Sequence, residues 1–94
     1  MYKDLDPLLH SQLRLTIVSH LVKHGSSDFK EIRSLTSANS GNVSIQIGKL
    51  EAAEYVQVKK GFKGNYPHTS VTLTDKGLKA FEKYVEALRG YLEP

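Results

Sequence analysis

Ser40, Asn42, Ser44, Gln46 and Lys49 place hydroxyl, amide and ammonium groups within ten consecutive positions, with no carboxylate among them. Groups of these types make and accept hydrogen bonds rather than break covalent bonds, and a set without negative charge suits a polyanionic partner. Val43, Ile47 and Leu50 recur among them at helical spacing, which predicts a helix with one narrow buried stripe. The opposite side carries Gly41, Asn42, Ser44, Ile45, Gly48 and Lys49. It is slim and acid-free, so such a helix fits a DNA groove where a bulky acidic face would not.

Other chemistries find little support. His20 and His24 stand four apart, a spacing that can hold a metal, but no carboxylate or cysteine pattern accompanies them and they read as surface or interface histidines. Gly61-x-x-Gly64 is too short for a phosphate-binding loop, and Glu51 with Glu54 reads as a solvated face. Ser, His and Asp are present without any order that suggests a triad, which only geometry can identify. The chain has no cysteine, which removes disulfides, thiolate zinc sites and cysteine nucleophiles together. The expectation is a protein that is not an enzyme and needs no metal or cofactor.

Ninety-four residues suffice for one domain with a single modest core. No apolar run approaches the ~20 residues that span a bilayer. The start, Met1 to Leu5, lacks the apolar block of a signal peptide, so a cytoplasmic location with no membrane partner is expected. The net charge is +3. Lys59, Lys60 and Lys63 lie between Tyr55 and Thr74 with no acidic residue, while the other ten basic residues are balanced by ten acidic ones. The whole excess therefore falls on one short segment, as in a nucleic-acid binder.

The elements needed to position these groups can be read in order. Asp6-Pro7 is expected to open a first helix carrying Leu13, Ile17, Val18, Leu21 and Val22 as far as His24, with Gly25 ending it. Ser26 to Asp28 could form one edge of a small sheet. Asp28 to Glu31 has capping-box spacing and starts a short helix that carries Phe29, Ile32 and Leu35. After a turn at 36–38, Asn39 caps the third helix. Tyr55 to Lys60 and His68 to Leu73 alternate as strands joined by a glycine-punctuated loop over 61–67. Thr74 caps a last helix reaching about Leu92. The fold class is mainly α with a small antiparallel β wing: one domain over 1–94, with a helix-turn-helix at about 28–54, the wing at 55–73 and a long helix at 75–92.

Within that order, Asn39-Ser40-Gly41-Asn42-Val43-Ser44 and Lys49-Leu50-Glu51-Ala52-Ala53-Glu54-Tyr55-Val56 resemble the signature T-D-G-N-L-S…K-L-E-E-A-G-Y-V of small winged-helix transcriptional regulators, single-domain relatives of the MarR and ArsR groups. Lys60 to Gly64, Pro67 to Thr69 and Leu73-Thr74-Asp75-Lys76-Gly77 are similar to that family's wing and the L-T-x-x-G start of its last helix. The likeness spans about residues 10 to 90. It implies that the third helix lies in the major groove of double-stranded DNA. There Gln46 would pair with adenine, Ser44 with bases or phosphate, and Lys49 with phosphate or guanine. Ile45 would meet a thymine methyl, and Ser40 and Asn42 would bind phosphate. Lys59, Lys60 and Lys63, with His68 as a weaker candidate, would bind the backbone or minor groove from the wing. Two positions depart from the family. Asn65 and Tyr66 stand where arginines are frequent, and Glu54 replaces the usual glycine, which suggests a different exit from the third helix.

Leu78, Phe81, Val85, Leu88 and Leu92 follow three-four spacing, a coiled-coil-like seam flanked by Tyr84 and Tyr91. Leu78 and Phe81 are expected to pack on their own domain and the distal residues on a second copy. Tyr2, Leu5, Leu8 and Leu9 could complete that interface. The reading is a homodimeric, sequence-specific DNA-binding regulator, acting as a repressor by occluding a promoter. The alternative is a winged-helix module that binds protein within a larger assembly, favoured by Ile45 on an outward side. A small-molecule effector between the first and last helices fits this fold, but no residue singles one out.

Overall fold

A computed structural model describes residues 2–93. In chain order the elements are α1 (Gln12–His24), β1 (Ser26–Asp28), α2 (Phe29–Ser34), α3 (Ser40–Ala52), β2 (Val56–Lys63), β3 (Tyr66–Leu73) and α4 (Asp75–Leu92). This is the winged helix expected from the sequence: four helices and a three-stranded antiparallel sheet in the order β1-β3-β2.

The first helix starts later than Asp6-Pro7 suggested. Asp6 instead caps a single turn, its Oδ1 accepting from the Leu8 N–H at 2.9 Å and its carbonyl from the His10 N–H at 2.9 Å. Ser11 is extended, with φ −150°, and recaps the chain by accepting from the Arg14 N–H. That break swings Leu9 fully into the core. Ile17, Val18 and Leu21 of α1, Ile32 of α2 and Val43, Ile47 and Leu50 of α3 meet it there with Val56, Val71 and Tyr84. Burial of each large side chain contributes ~1.5–3 kcal/mol, so α1 and α3 are held mainly by this shared cluster. In α2 Ile32 is buried and Phe29 packs against the core, while Leu35, just past the helix end at Ser34, is 44% exposed.

The wing occupies the expected stretch, but its strands are longer and its loop shorter than the sequence implied. Both strands continue through the glycine-rich stretch, pairing Phe62 with Pro67 and Lys63 with Tyr66, so that only Gly64 and Asn65 form the loop. Gly64 has φ +65° while Asn65 stays at negative φ. Glycine at the first central position is the arrangement of a type II′ hairpin turn, whose twist matches the strands. Pairs in an antiparallel ladder alternate between bonded and non-bonded, and a two-residue loop is flanked by a bonded one. Pro67 therefore falls at a non-bonded pair, where its missing N–H costs no ladder bond.

Helix α3 ends in a Schellman motif. The Tyr55 N–H donates to the Leu50 carbonyl and the Glu54 N–H to the Glu51 carbonyl, each at 2.9 Å. Glu54 itself has φ +63°, the left-handed conformation that the family's glycine would adopt freely. The expected change of exit does not occur; the same exit is made by a residue that adopts it at a cost. Thr74 then joins this corner to α4. Its Oγ1 donates to the Glu54 carbonyl at 2.6 Å and accepts from the Gly77 N–H at 3.0 Å. Gly77 must be glycine, because a Cβ there would overlap the Tyr55 carbonyl oxygen.

Replacing Glu54 by glycine should release strain of about 1 kcal/mol. The expected result is a melting temperature raised by roughly 4–8 °C, measured by circular dichroism. An unchanged or lowered midpoint would contradict the strained exit.

Candidate nucleic-acid interface

Helix α3 presents the surface anticipated for it. Asn39 is its N-cap, with Oδ1 accepting from the Asn42 N–H at 2.8 Å, and the first turn contains no acidic residue. Ser40 and Gly41 are exposed, and their N–H groups precede the first intrahelical bond, Val43 to Asn39. The positive end of the helix dipole thus meets no carboxylate within its own first turn, a favourable setting for a phosphate. Gly41, Ser44, Ile45, Gly48 and Lys49 are all exposed, Ile45 at 59%. Glu51 is exposed too, and lines a cavity with Glu54, Lys59 and Lys76 near the root of the wing, so the acid-free surface is confined to the first ten residues of α3.

Gln46 is placed differently from the other predicted readers. It is half-buried on the flank that faces α1, with both ends of its amide engaged. Arg14 donates to its Oε1, and its Nε2 donates to Oδ1 of Asn42 at 2.9 Å. An adenine pair would need both of those amide atoms, so Gln46 in this arrangement does not stand free to read a base. Arg14 is a polar residue that sequence reasoning passed over. Its signal was weak: a lone arginine among the apolar residues of α1.

The three wing lysines do not share a face. Strand alternation and cross-strand register put Lys59 and Lys63 on one side with Tyr66 and His68, and Lys60 on the other with Phe62 and Thr69. Among the described residues none of the three, nor Lys49, enters a salt bridge. Phe62 and Tyr66 are 76% and 75% exposed at the tip. The interleaving of lysine and aromatic residues over 59–66 was the available sign of both.

His68 faces its own protein. Its Nε2 lies 3.8 Å from Oδ2 of Asp28, a contact that ties β3 to the start of α2. The Glu31 N–H donating to Asp28 holds the Asp28 carboxyl below its ordinary value of 3.8, with His68 and Lys63 acting in the same direction against partial desolvation. Of the two paired histidines, His20 lies with Nε2 3.1 Å from Ser27 Oγ and 3.4 Å from a Glu31 oxygen, and its ring centroid is 4.5 Å from that of His24.

The residues expected at a dimer interface divide. Leu9 and Tyr84 are inside the domain, at 0% and 4% exposure, and the Tyr84 hydroxyl pairs with His10 Nδ1 at 3.0 Å. Tyr84 is a core residue because Gly77, Tyr84 and Ala87 form the inward stripe of α4, and Leu9 joins the same cluster from the N-terminal segment. Leu5, Leu8, Phe81 and Leu88 are half-buried against that core, and Val85 is half-buried as well. Leu78, Tyr91 and Leu92 are exposed, Leu78 contrary to expectation. The N-terminal segment does reach the end of α4, but within one chain: the Tyr91 hydroxyl donates to the Lys3 carbonyl at 2.8 Å and its ring packs on Tyr2.

The family profile described as winged helix DNA-binding domain matches residues 13–92. Among solved structures, the chain is similar to a transcriptional regulator homologue from Pyrococcus horikoshii OT3. The TM-score is 0.84 at 24% identity, over 92% of this chain and 85% of that one. It is similar to ytfH of Salmonella typhimurium, with TM-score 0.75 at 20% identity over 92% and 75% of the two chains. It is also similar to Bordetella bronchiseptica BpsR, whose DNA binding is regulated by 6-hydroxynicotinic acid, with TM-score 0.68 at 19% identity over 85% and 56%. A sequence comparison with curated proteins returns no significant match.

Asn is as good an N-cap as Asp but carries no charge. Because ionised Asp28 has a lowered pKa in the folded state, its contribution to stability is present above pH 3.8 and is lost as pH falls below it. Asp28→Asn should therefore leave urea stability near pH 7 within about 0.5 kcal/mol and flatten the decline at acid pH. An acid limb identical to that of the native protein would refute the assignment.

Proposed function

Since the chain belongs to the winged-helix DNA-binding domain family, we propose that it is a sequence-specific regulator of transcription that binds duplex DNA as a homodimer and represses by occluding promoter sites. The observation that carries this reading is the surface of α3 from Ser40 to Lys49: exposed, slim, without carboxylate, and headed by N–H groups that no acidic residue of its own first turn neutralises. Ser44 and Lys49 are its readers in the major groove, Ile45 meets a thymine methyl, and Ser40 and Asn42 hold the phosphates on either side. Lys59 and Lys63 on one face of the hairpin and Lys60 on the other support a wing that straddles the backbone, with Phe62 and Tyr66 at its tip.

Dimerisation is supported by the lateral flank of α4. Leu78, Phe81, Val85, Leu88 and Leu92 run along one side of the helix, beside rather than on its inward stripe. Several such side chains from each copy, at ~1.5–3 kcal/mol each, exceed an association cost of ~4–15 kcal/mol. A two-fold pair of this kind sets its reading helices about one DNA turn apart, ~34 Å.

With three lysines per subunit on phosphate, a dimer releases about six counterions, and log affinity should fall against log salt with a slope of roughly −5. Binding to random duplex DNA should show that slope. The Lys59/Lys60/Lys63→Ala variant should be distinctly flatter; indifference to the substitutions would favour a protein-binding module instead. Sedimentation should find dimers at micromolar concentration, and Leu88→Glu with Leu92→Glu should yield monomers. A native protein that sediments as a monomer would remove the dimer from the reading.

A further inference from the structure

One hydrogen-bonded chain runs from the N-terminal segment to the first turn of α3. Arg14 Nε donates to the Leu8 carbonyl at 2.6 Å, and its Nη1 donates to Oε1 of Gln46. Gln46 Nε2 donates in turn to Oδ1 of Asn42 at 2.9 Å. The direction of this chain is set at its source. A guanidinium has only donors, so it fixes the carbonyl end of Gln46 towards itself and the amino end towards Asn42. The oxygen of Asn42 is thereby held towards Gln46, and its amino group is the end of this exposed side chain without a hydrogen bond among the described residues.

We propose that Arg14 and Gln46 are positioning residues that set the polarity of Asn42, so that it offers a hydrogen-bond donor to a backbone phosphate oxygen. The inference rests on the DNA-binding reading and deepens it. A side-chain amide with both atoms free turns either way, towards donors or acceptors. Here only acceptors are matched, and the acid-free first turn beside it favours the same kind of group. The arrangement also explains why a glutamine sits half-buried between α1 and α3: it transmits orientation rather than reading a base.

A double-mutant cycle tests this without knowledge of the operator, because phosphate contacts are independent of sequence. Gln46→Glu preserves size and still accepts from Arg14, but it has no donor for Asn42. The amide of Asn42 must then turn, donate to the new carboxylate and show its oxygen to the phosphate. Binding to a random-sequence duplex should weaken about tenfold or more in the native background and only about twofold when Asn42→Ala is already present. Equal loss in both backgrounds, as simple repulsion by a new carboxylate would give, overturns the proposal.

Solvent exchange of the Asn42 side-chain amide, followed by NMR in the unbound protein, supplies an arm independent of DNA. Exchange should be fast in the native protein and slowed by Gln46→Glu; identical exchange overturns the polarity itself. If Gln46→Glu does not fold, Gln46→Met, which engages neither neighbour, should still reduce affinity in the native background and not with Asn42→Ala. Absence of duplex binding by the native protein at low salt would end the phosphate role together with the DNA reading, and the exchange result would show whether the relay itself had failed.

Discussion

The carbonyl groups of Glu54 and Tyr55 hold this structure together at one corner. Thr74 donates to the first through its hydroxyl and to the second through its N–H, at 2.6 and 3.1 Å. Gly77 brings α4 directly onto the second. Through those two peptide groups the end of α3, the root of the wing and the start of α4 are fixed to one another. The surface of α3, the lysine-bearing hairpin and the flank of α4 are otherwise separate features; the corner makes them a single arrangement. A residue with φ +63° at Glu54 persists because these neighbours determine its backbone from both sides.

Much of this was legible from the residues. Val43, Ile47 and Leu50 have helical spacing and are buried as that spacing requires, and Thr74 caps the last helix where its side chain predicted. What escaped reading depends on partners distant in sequence. Asp6-Pro7 has the right chemistry to start a helix, yet the chain turns once and is recapped at Ser11, a choice decided by burying Leu9. The glycines of 61–64 resemble a loop, although Gly61 simply continues a strand paired with His68. Tyr84 has the spacing of an interface residue, but it is buried in its own domain and its hydroxyl pairs with His10, seventy-four positions away, which no local pattern announces.

The candidate site was legible in kind and less so in detail. That Ser44, Ile45 and Lys49 face outward follows from period alone. That Gln46 faces α1 follows from a contact with Arg14, thirty-two positions away. The lysines of the wing were visible as charge but not as two faces, because strand register, which a sequence leaves open, decides on which side each one projects.

The strand order β1-β3-β2 has one further consequence for the wing. The outer border of β2 is unpaired along its whole length, and β3 loses its second neighbour beyond Ser70, where β1 ends. Two bare borders on a protruding ribbon with aromatic tips invite other chains to extend the sheet. Lys59, Lys60 and Lys63 along one border, and Pro67 with no N–H to offer on the other, both resist such stacking. Their ammonium groups thereby keep these molecules from knitting to each other along the ribbon.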